Sequence, residues 1–190
     1  MQRIPMRTTL IAFASLSLLS ACQRQDPAAD AANQAAAPAS LTVFESMVAT
    51  MVPQSNLIWE LAGNLYDDDG NIDPELLSAE QWQQVHDGAV AIAGSARTLA
   101  ATDGIRAAPA GVAIQNEGTA GAPGAAQVQA ALDADPQSFK SDAQQLASLA
   151  DEIAAAATAQ DGAKLDELSG RLTEGCGACH EKFWYPEQGG

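Results

Sequence analysis

The chemistry of this chain is concentrated near its C-terminus, in Cys176-Gly177-Ala178-Cys179-His180. Two thiols three residues apart on a helix share one face, and each can add to a vinyl group of a haem. The imidazole that follows directly is placed to put a ring nitrogen on the iron. This is the pattern of covalent c-type haem attachment, with Cys176 and Cys179 as the attachment sulfurs and His180 as the proximal iron ligand. Other uses of such a pair are a redox dithiol or a zinc site. Zinc needs about four ligands, the only other histidine is His86, and nothing in the sequence places it nearby.

Helices must position these groups. Thr42-x-x-Glu45 is a capping box that opens a first helix over about Leu41 to Tyr66. Its apolar face takes in Phe44, Met47/Val48, Met51, Ile58, Leu61 and Leu65, and Pro53 should bend or restart it because proline removes a backbone donor. A second capping box, Ser78-x-x-Gln81, opens a helix with Trp82, Val85, Ala89, Ile92, Ala96 and Leu99 on one face. Asp135-Pro136 is an N-cap followed by proline at the first helical position, and Phe139, Ala143, Leu146, Ala150, Ile153 and Ala157 follow. The fourth helix begins near Asp161, and its seam of Leu165, Leu168, Leu172 and Gly175 runs into Cys179 and Phe183. Four amphipathic helices with alternating three- and four-residue spacing predict an all-α fold, an antiparallel four-helix bundle binding one covalent haem c inside it. Residues 102–134 form a long Ala-, Gly- and Pro-rich connection in which only Ala126 to Asp133 looks helical, read as a flap near the haem edge.

The other end of the chain agrees with export. Arg3 and Arg7 precede an apolar run from Thr8 to Leu19, too short for a permanent membrane helix. The run ends in Leu19-Ser20-Ala21-Cys22, which resembles a bacterial lipoprotein signal: residues 1–21 would be removed and Cys22 would carry lipid. Gln23 after the cysteine implies the outer membrane in a Gram-negative host. The three cysteines are then all accounted for, with none left for a disulfide. Residues 22–40 read as a flexible tether with a reach of about 20–25 Å, residues 41–186 as the haem domain, and 187–190 as a tail. The net charge is −15, and loss of Arg3 and Arg7 leaves the mature chain more negative. Such a surface is wrong for nucleic acid and favours protein partners with a basic docking face.

A C-terminal haem motif on the last of four helices resembles the cytochrome c′ family over roughly residues 41–185. The likeness is closest to members ending C-x-x-C-H-x-x-F/Y-W-Y-P, here Cys176 to Pro186, with a looser match of Met47…Met51-Val52-Pro53…Ile58-Trp59 in the first helix. In that family the distal side of the haem faces the first helix, at a position that is methionine in low-spin relatives and apolar in five-coordinate ones. The resemblance puts Met47 there as sixth ligand, with Met51 one turn later as substitute; core filling by both methionines is the remaining reading. Typical members carry arginine four residues after the haem histidine, where this chain has Trp184. That departure weakens an inference of proximal nitric oxide chemistry. The family's dimers form through the first two helices; Pro53 and the longer connection after the first helix leave a homodimer open.

These features give two functions. The first is a monohaem electron carrier, in which a methionine ligand raises the potential and blocks small molecules. The second is a five-coordinate protein that binds nitric oxide or carbon monoxide. A peroxidase-like enzyme would need a distal acid–base group, and none is evident, so no catalytic residue is assigned. His86 sits one position off its helix's apolar seam and reads as a surface or boundary residue. Trp59 and Trp82 read as bundle core or haem edge, and Trp184 and Tyr185 as haem cover or helix-end packing. Asp67 to Asp73 mimics part of a calcium loop but lacks the twelfth-position glutamate, where Ser78 stands, and reads as a solvated turn.

Overall fold

In the computed structural model the described residues are 41–185; the signal-like segment, Cys22, the tether and Pro186 lie outside them. They form α1 (Val43–Ser46), a π-helical turn (Met47–Met51), α2 (Val52–Gly63), a 3-10 turn (Pro74–Leu76), α3 (Ala79–Ala101), α4 (Ala125–Ala134), α5 (Pro136–Ala159) and α6 (Gly162–Phe183). Each long helix starts where a side chain can satisfy free backbone N–H groups. Thr42 and Ser78 complete capping boxes with Glu45 and Gln81, Asp135 accepts from the N–H of Ser138, and Asp161 accepts from that of Lys164. Each such cap stabilises its helix by about 1 kcal/mol.

Cross-helix pairs fix the topology. Ser46 meets Ser95 (Oγ–Oγ 2.6 Å), and Gln54 lies against Gly88. Asp103 pairs with Lys140, and Arg97 with Asp151; Lys182 pairs with Asp142 (2.7 Å), and Arg171 with Glu152 (2.8 Å). Trp59 Nε1 donates to the Ser169 carbonyl (3.2 Å) and the Tyr66 hydroxyl to Asp166 (2.6 Å). In every pair of neighbours, one partner advances along its helix as the other retreats. The bundle is therefore all-α and antiparallel, with the first helical rod (α1, π turn and α2), α3, α5 and α6 in cyclic order, as the seams predict.

The closest packing joins α3 to α5. Ala89, Ala93 and Ala96 face a wall of Ala143, Ala147, Ala150, Ala154 and Ala157, nearly all of them sealed from solvent; side chains this small let two helices approach. Ile58, Leu65, Ile92, Ile153, Leu165, Leu168 and Leu172 are fully buried around that pair, each contributing roughly 1.5–3 kcal/mol.

Two expectations change. The first rod ends at Gly63, before Tyr66, and its register slips. Val48, expected on the apolar face, is 57% exposed, while Thr42 and Ser46 are buried. The cause is the turn before Pro53. The Val52 N–H donates to the Met47 carbonyl, five residues back. Pro53 has no N–H, and its ring crowds the carbonyl four residues earlier, so the turn widens by one residue and rotates what precedes it. The second change concerns residues 102–134. The predicted helix is there as α4, and the loop before it, read as a flap, is tied down at residues 105–107. The carbonyls of Arg106 and Ala107 accept from the N–H groups of Val43 and Phe44 (2.9 and 2.8 Å), donors that no intrahelical bond can satisfy. The Gln129 amide clamps the same stretch, accepting from Ala107 N and donating to the Ile105 carbonyl.

Candidate cofactor site

The last turns of α6 carry Cys176, Cys179 and His180 into a cleft between α6, α5 and the first rod. The cleft has two chambers. The larger, about 450 Å³, is lined by Met47, Met51, Val52, Ser55 and Trp59 from the first rod, Phe139, Ala143, Leu146 and Leu149 from α5, and Gly175, Cys176, Cys179 and His180 from α6. The smaller, about 260 Å³, lies between Val43, Phe44 and Val48, the loop residues Ala107 and Ile114, α4 residues Val128 and Leu132, and Phe183, Trp184 and Tyr185. Met47, Val52, Phe139, Cys179 and His180 line both chambers. These are ordinary dimensions for a cofactor pocket, and the walls are mainly apolar.

The walls follow from local sequence. The π turn puts Met47 at the junction of the chambers; Met51, only 5% exposed, borders the larger one alone. Gly175 continues the apolar seam of α6, yet a Cβ built there meets nothing within 4 Å. Glycine inside a helix costs about 1 kcal/mol relative to alanine, and at this place it leaves a flat face open to the larger chamber. The cations at the rim are engaged: Lys182 with Asp142, Arg171 with Glu152.

The electrostatics suit ligation by a neutral imidazole and argue against a redox dithiol. Burial pushes both thiols up. For Cys179 the shift, to about 11, comes from burial first and then from the negative charge of Asp142, with Lys182 opposing it. Cys-x-x-Cys redox pairs, by contrast, sit where a helix N-terminus or a cation stabilises the thiolate, whereas this pair lies toward the C-terminal end of α6. Burial lowers the His180 pKa, so the imidazole is neutral, the form that binds metal. Among the described residues no three His, Cys, Asp or Glu side chains come together to hold an ion, which argues against zinc at the cysteine pair. The site thus fits a haem: two neutral thiols and a neutral imidazole on one turn, a thioether across the cleft, an uncovered helix face, and one donor without a partner. That donor is Trp184 Nε1, which is buried and makes no hydrogen bond.

Of the residues singled out in the sequence, Cys176, Cys179, His180, Met47, Met51 and Trp59 meet in the larger chamber, and Trp184 and Tyr185 border the smaller. Trp82 does not reach the site; it is buried away from both chambers, donating to the Pro74 carbonyl. His86 also stands apart, held by Asp87 and Gln83. Asp67 to Asp73 is a self-contained turn in which Asp67 Oδ1 accepts from the N–H groups of Asp69 and Asn71, bonds that hold its carboxyl below the usual range. Sequence reasoning placed Phe139 and Ala143 in the bundle seam and Val52 in the first-helix match without assigning them to the site, and passed over Ser55. Their common signal was proximity to Pro53 or to the start of α5, the end at which α6 carries its cysteines.

A family model described as Cytochrome C′ matches residues 81–184, more than half of the chain. No curated protein and no solved structure matches.

Proposed function

We infer the function from one premise, that this chain belongs to the cytochrome c′ family. Members hold a covalent haem c, and the chain is a monohaem c-type cytochrome of a family that is in general non-enzymatic. We propose that it carries single electrons. The bound haem supplies the one-electron Fe(III)/Fe(II) couple; the protein attaches, ligates and shields it. Cys176 and Cys179 are the anchoring sulfurs, His180 the proximal imidazole and Met47 the opposing thioether.

The observation that carries this reading is the position of Met47. It is the one methionine bordering both chambers, beside His180 and Cys179, on a turn whose widened geometry Pro53 enforces. A thioether there raises the potential and denies small molecules the sixth position. Packed helices on three sides limit the rearrangement that reduction demands. Acid–base chemistry finds little support: Asp142 is engaged by Lys182, Glu174 is exposed at the rim of the larger chamber, and His86 borders neither chamber.

The decisive test is the absorption and resonance Raman spectrum of the matured protein, oxidised and reduced, with and without carbon monoxide, beside Met47→Ala. Low-spin bands in both states, with a methionine-to-iron feature that disappears in Met47→Ala, are expected. High-spin iron that takes up carbon monoxide in the unaltered protein overturns this reading in favour of gas binding.

The proposal extends to place and partner. Residues 1–21 act as a lipoprotein signal, and Cys22 holds the protein by lipid on the periplasmic side of the outer membrane of a Gram-negative host. The acidic surface, −15 over the chain, selects redox proteins with a basic docking face, at a rate that falls as salt rises. Globomycin-sensitive processing and loss of membrane association in Cys22→Ala are the expected results for the anchor.

A further inference from the structure

Trp184 is the residue that the electron-carrier reading leaves without a task. Its ring lies edge-on to that of His180, with centroids 5.2 Å apart and planes at 69°, and stacks on Tyr185 at 5.9 Å and 12°. It lines the smaller chamber with Cys179 and His180. Its indole N–H is sealed from water and is the single buried side-chain polar atom without a partner among the described residues. Leaving such a donor unpaired costs about 1–3 kcal/mol, and well over nine in ten buried polar groups in native proteins avoid that cost. Trp59 and Trp82 show the ordinary solution, each donating to a backbone carbonyl.

The missing acceptor has a natural source. A haem carries oxygen only on its two propionate side chains, which are carboxylates at neutral pH. No lysine or arginine borders the smaller chamber, and the two cations bordering the larger one already serve Asp142 and Glu152. The amides of Gln115 and Asn116 border the smaller chamber but are exposed and free to bond water, so Trp184 Nε1 is its one sealed and unspent donor. We propose that Trp184 Nε1–H is the hydrogen-bond donor this chain holds for a haem propionate carboxylate. The same residue then binds the cofactor's periphery through its nitrogen while its ring edge restrains the His180 imidazole. The inference rests on the chain holding a haem, not on whether that haem carries electrons or binds gas.

Trp184→Phe tests it, because phenylalanine keeps an aromatic ring beside His180 while removing the donor together with the indole's second ring. In the matured protein the propionate bending band in the resonance Raman spectrum shifts, the iron–histidine and spin-state bands stay, and the midpoint potential falls as negative charge near the iron loses its partner. Tyr185→Phe, which alters the stacked neighbour and not the buried donor, leaves the propionate band in place. The unaltered protein supplies a reading free of any folding defect. Its Trp184 indole ¹⁵N–H resonance moves downfield and exchanges more slowly on haem attachment, compared with haem-free chain. An unchanged indole resonance between haem-free and matured protein overturns the assignment, as does a propionate band that ignores Trp184→Phe. Absence of covalent haem in a pyridine haemochrome assay marks failure of the cofactor reading instead, and carbon monoxide uptake marks failure of the electron-carrier reading alone.

Discussion

The two ends of this bundle solve the same packing problem in opposite ways. At one end Leu65, Leu165, Leu168, Ile58 and Ile153 are wholly buried, and α6 enters so tightly that a Cβ on Gly162 would lie 3.0 Å from Ile72 Cγ2. At the other, the same helix carries Gly175 beside open space, and Met47, Phe139, Cys179 and His180 surround chambers of about 450 and 260 Å³. Native interiors are close-packed, with few voids larger than a water molecule. An apolar cleft of this size is therefore an incomplete core, and the haem proposed for it would complete it. One end is finished by side chains; the other is left for a cofactor, and its irregularities, the π turn and the unpaired indole, lie there.

The strongest way to break that contrast is to withhold the cofactor. Cys176→Ala with Cys179→Ala removes all covalent haem, read by pyridine haemochrome after acid–acetone extraction. Amide hydrogen exchange then rises in Val43–Val52 and the last turns of α6 while the α3–α5 seam stays protected. A uniform loss of protection would mean that the two ends do not differ as described. Next in size is Leu168→Ala at the finished end. A fully buried leucine there costs about 2–5 kcal/mol in denaturant unfolding, with the iron's spin state untouched. Met47→Ala inverts both readouts: in the matured protein the iron turns high-spin and the potential drops, while in the haem-free chain stability falls by about 1 kcal/mol or less, because that side chain borders both chambers rather than closed core. A stability loss as large as that of Leu168→Ala would make Met47 a core residue.

Helix starts were legible in the sequence at both ends of the bundle, because caps and apolar spacing are local. Thr42 with Glu45, Ser78 with Gln81, Asp135-Pro136 and Asp161 mark starts that the structure uses unchanged, and the seams of α3, α5 and α6 are the buried faces. The cavity between those starts at the cofactor end was legible only as a motif. Pro53 announced a disturbance, but a fixed helical period has no place for an extra residue, so Val48 was assigned inward and Ser46 was not. The clamp of Gln129 on Ile105 and Ala107 joins residues more than twenty apart, and no spacing rule reads such a bond. The unpaired nitrogen of Trp184 depends on what surrounds it in three dimensions. Local rules thus suffice where side chains finish the core; they fail where the chain is shaped to something it does not itself contain.

The sharpest form of the comparison uses two glycines on one helix. Gly162→Ala adds a methyl against Ile72, Leu65 and Pro74, three contacts at 3.0–3.5 Å, and the crowding should cost on the order of 1 kcal/mol whether or not haem is attached. Gly175→Ala adds the same methyl where nothing lies within 4 Å. In the haem-free chain only the helix propensity changes, so stability should rise by up to about 1 kcal/mol. In the maturing protein that methyl occupies the face that the glycine leaves open, and the yield of attached haem should fall. A sign that reverses between haem-free and haem-loaded chain at Gly175, beside a sign that does not at Gly162, would locate the boundary between the two kinds of core on a single helix. Equal signs at Gly175 would mean that this face stays empty when haem is attached, and that the cofactor lies against the first rod alone.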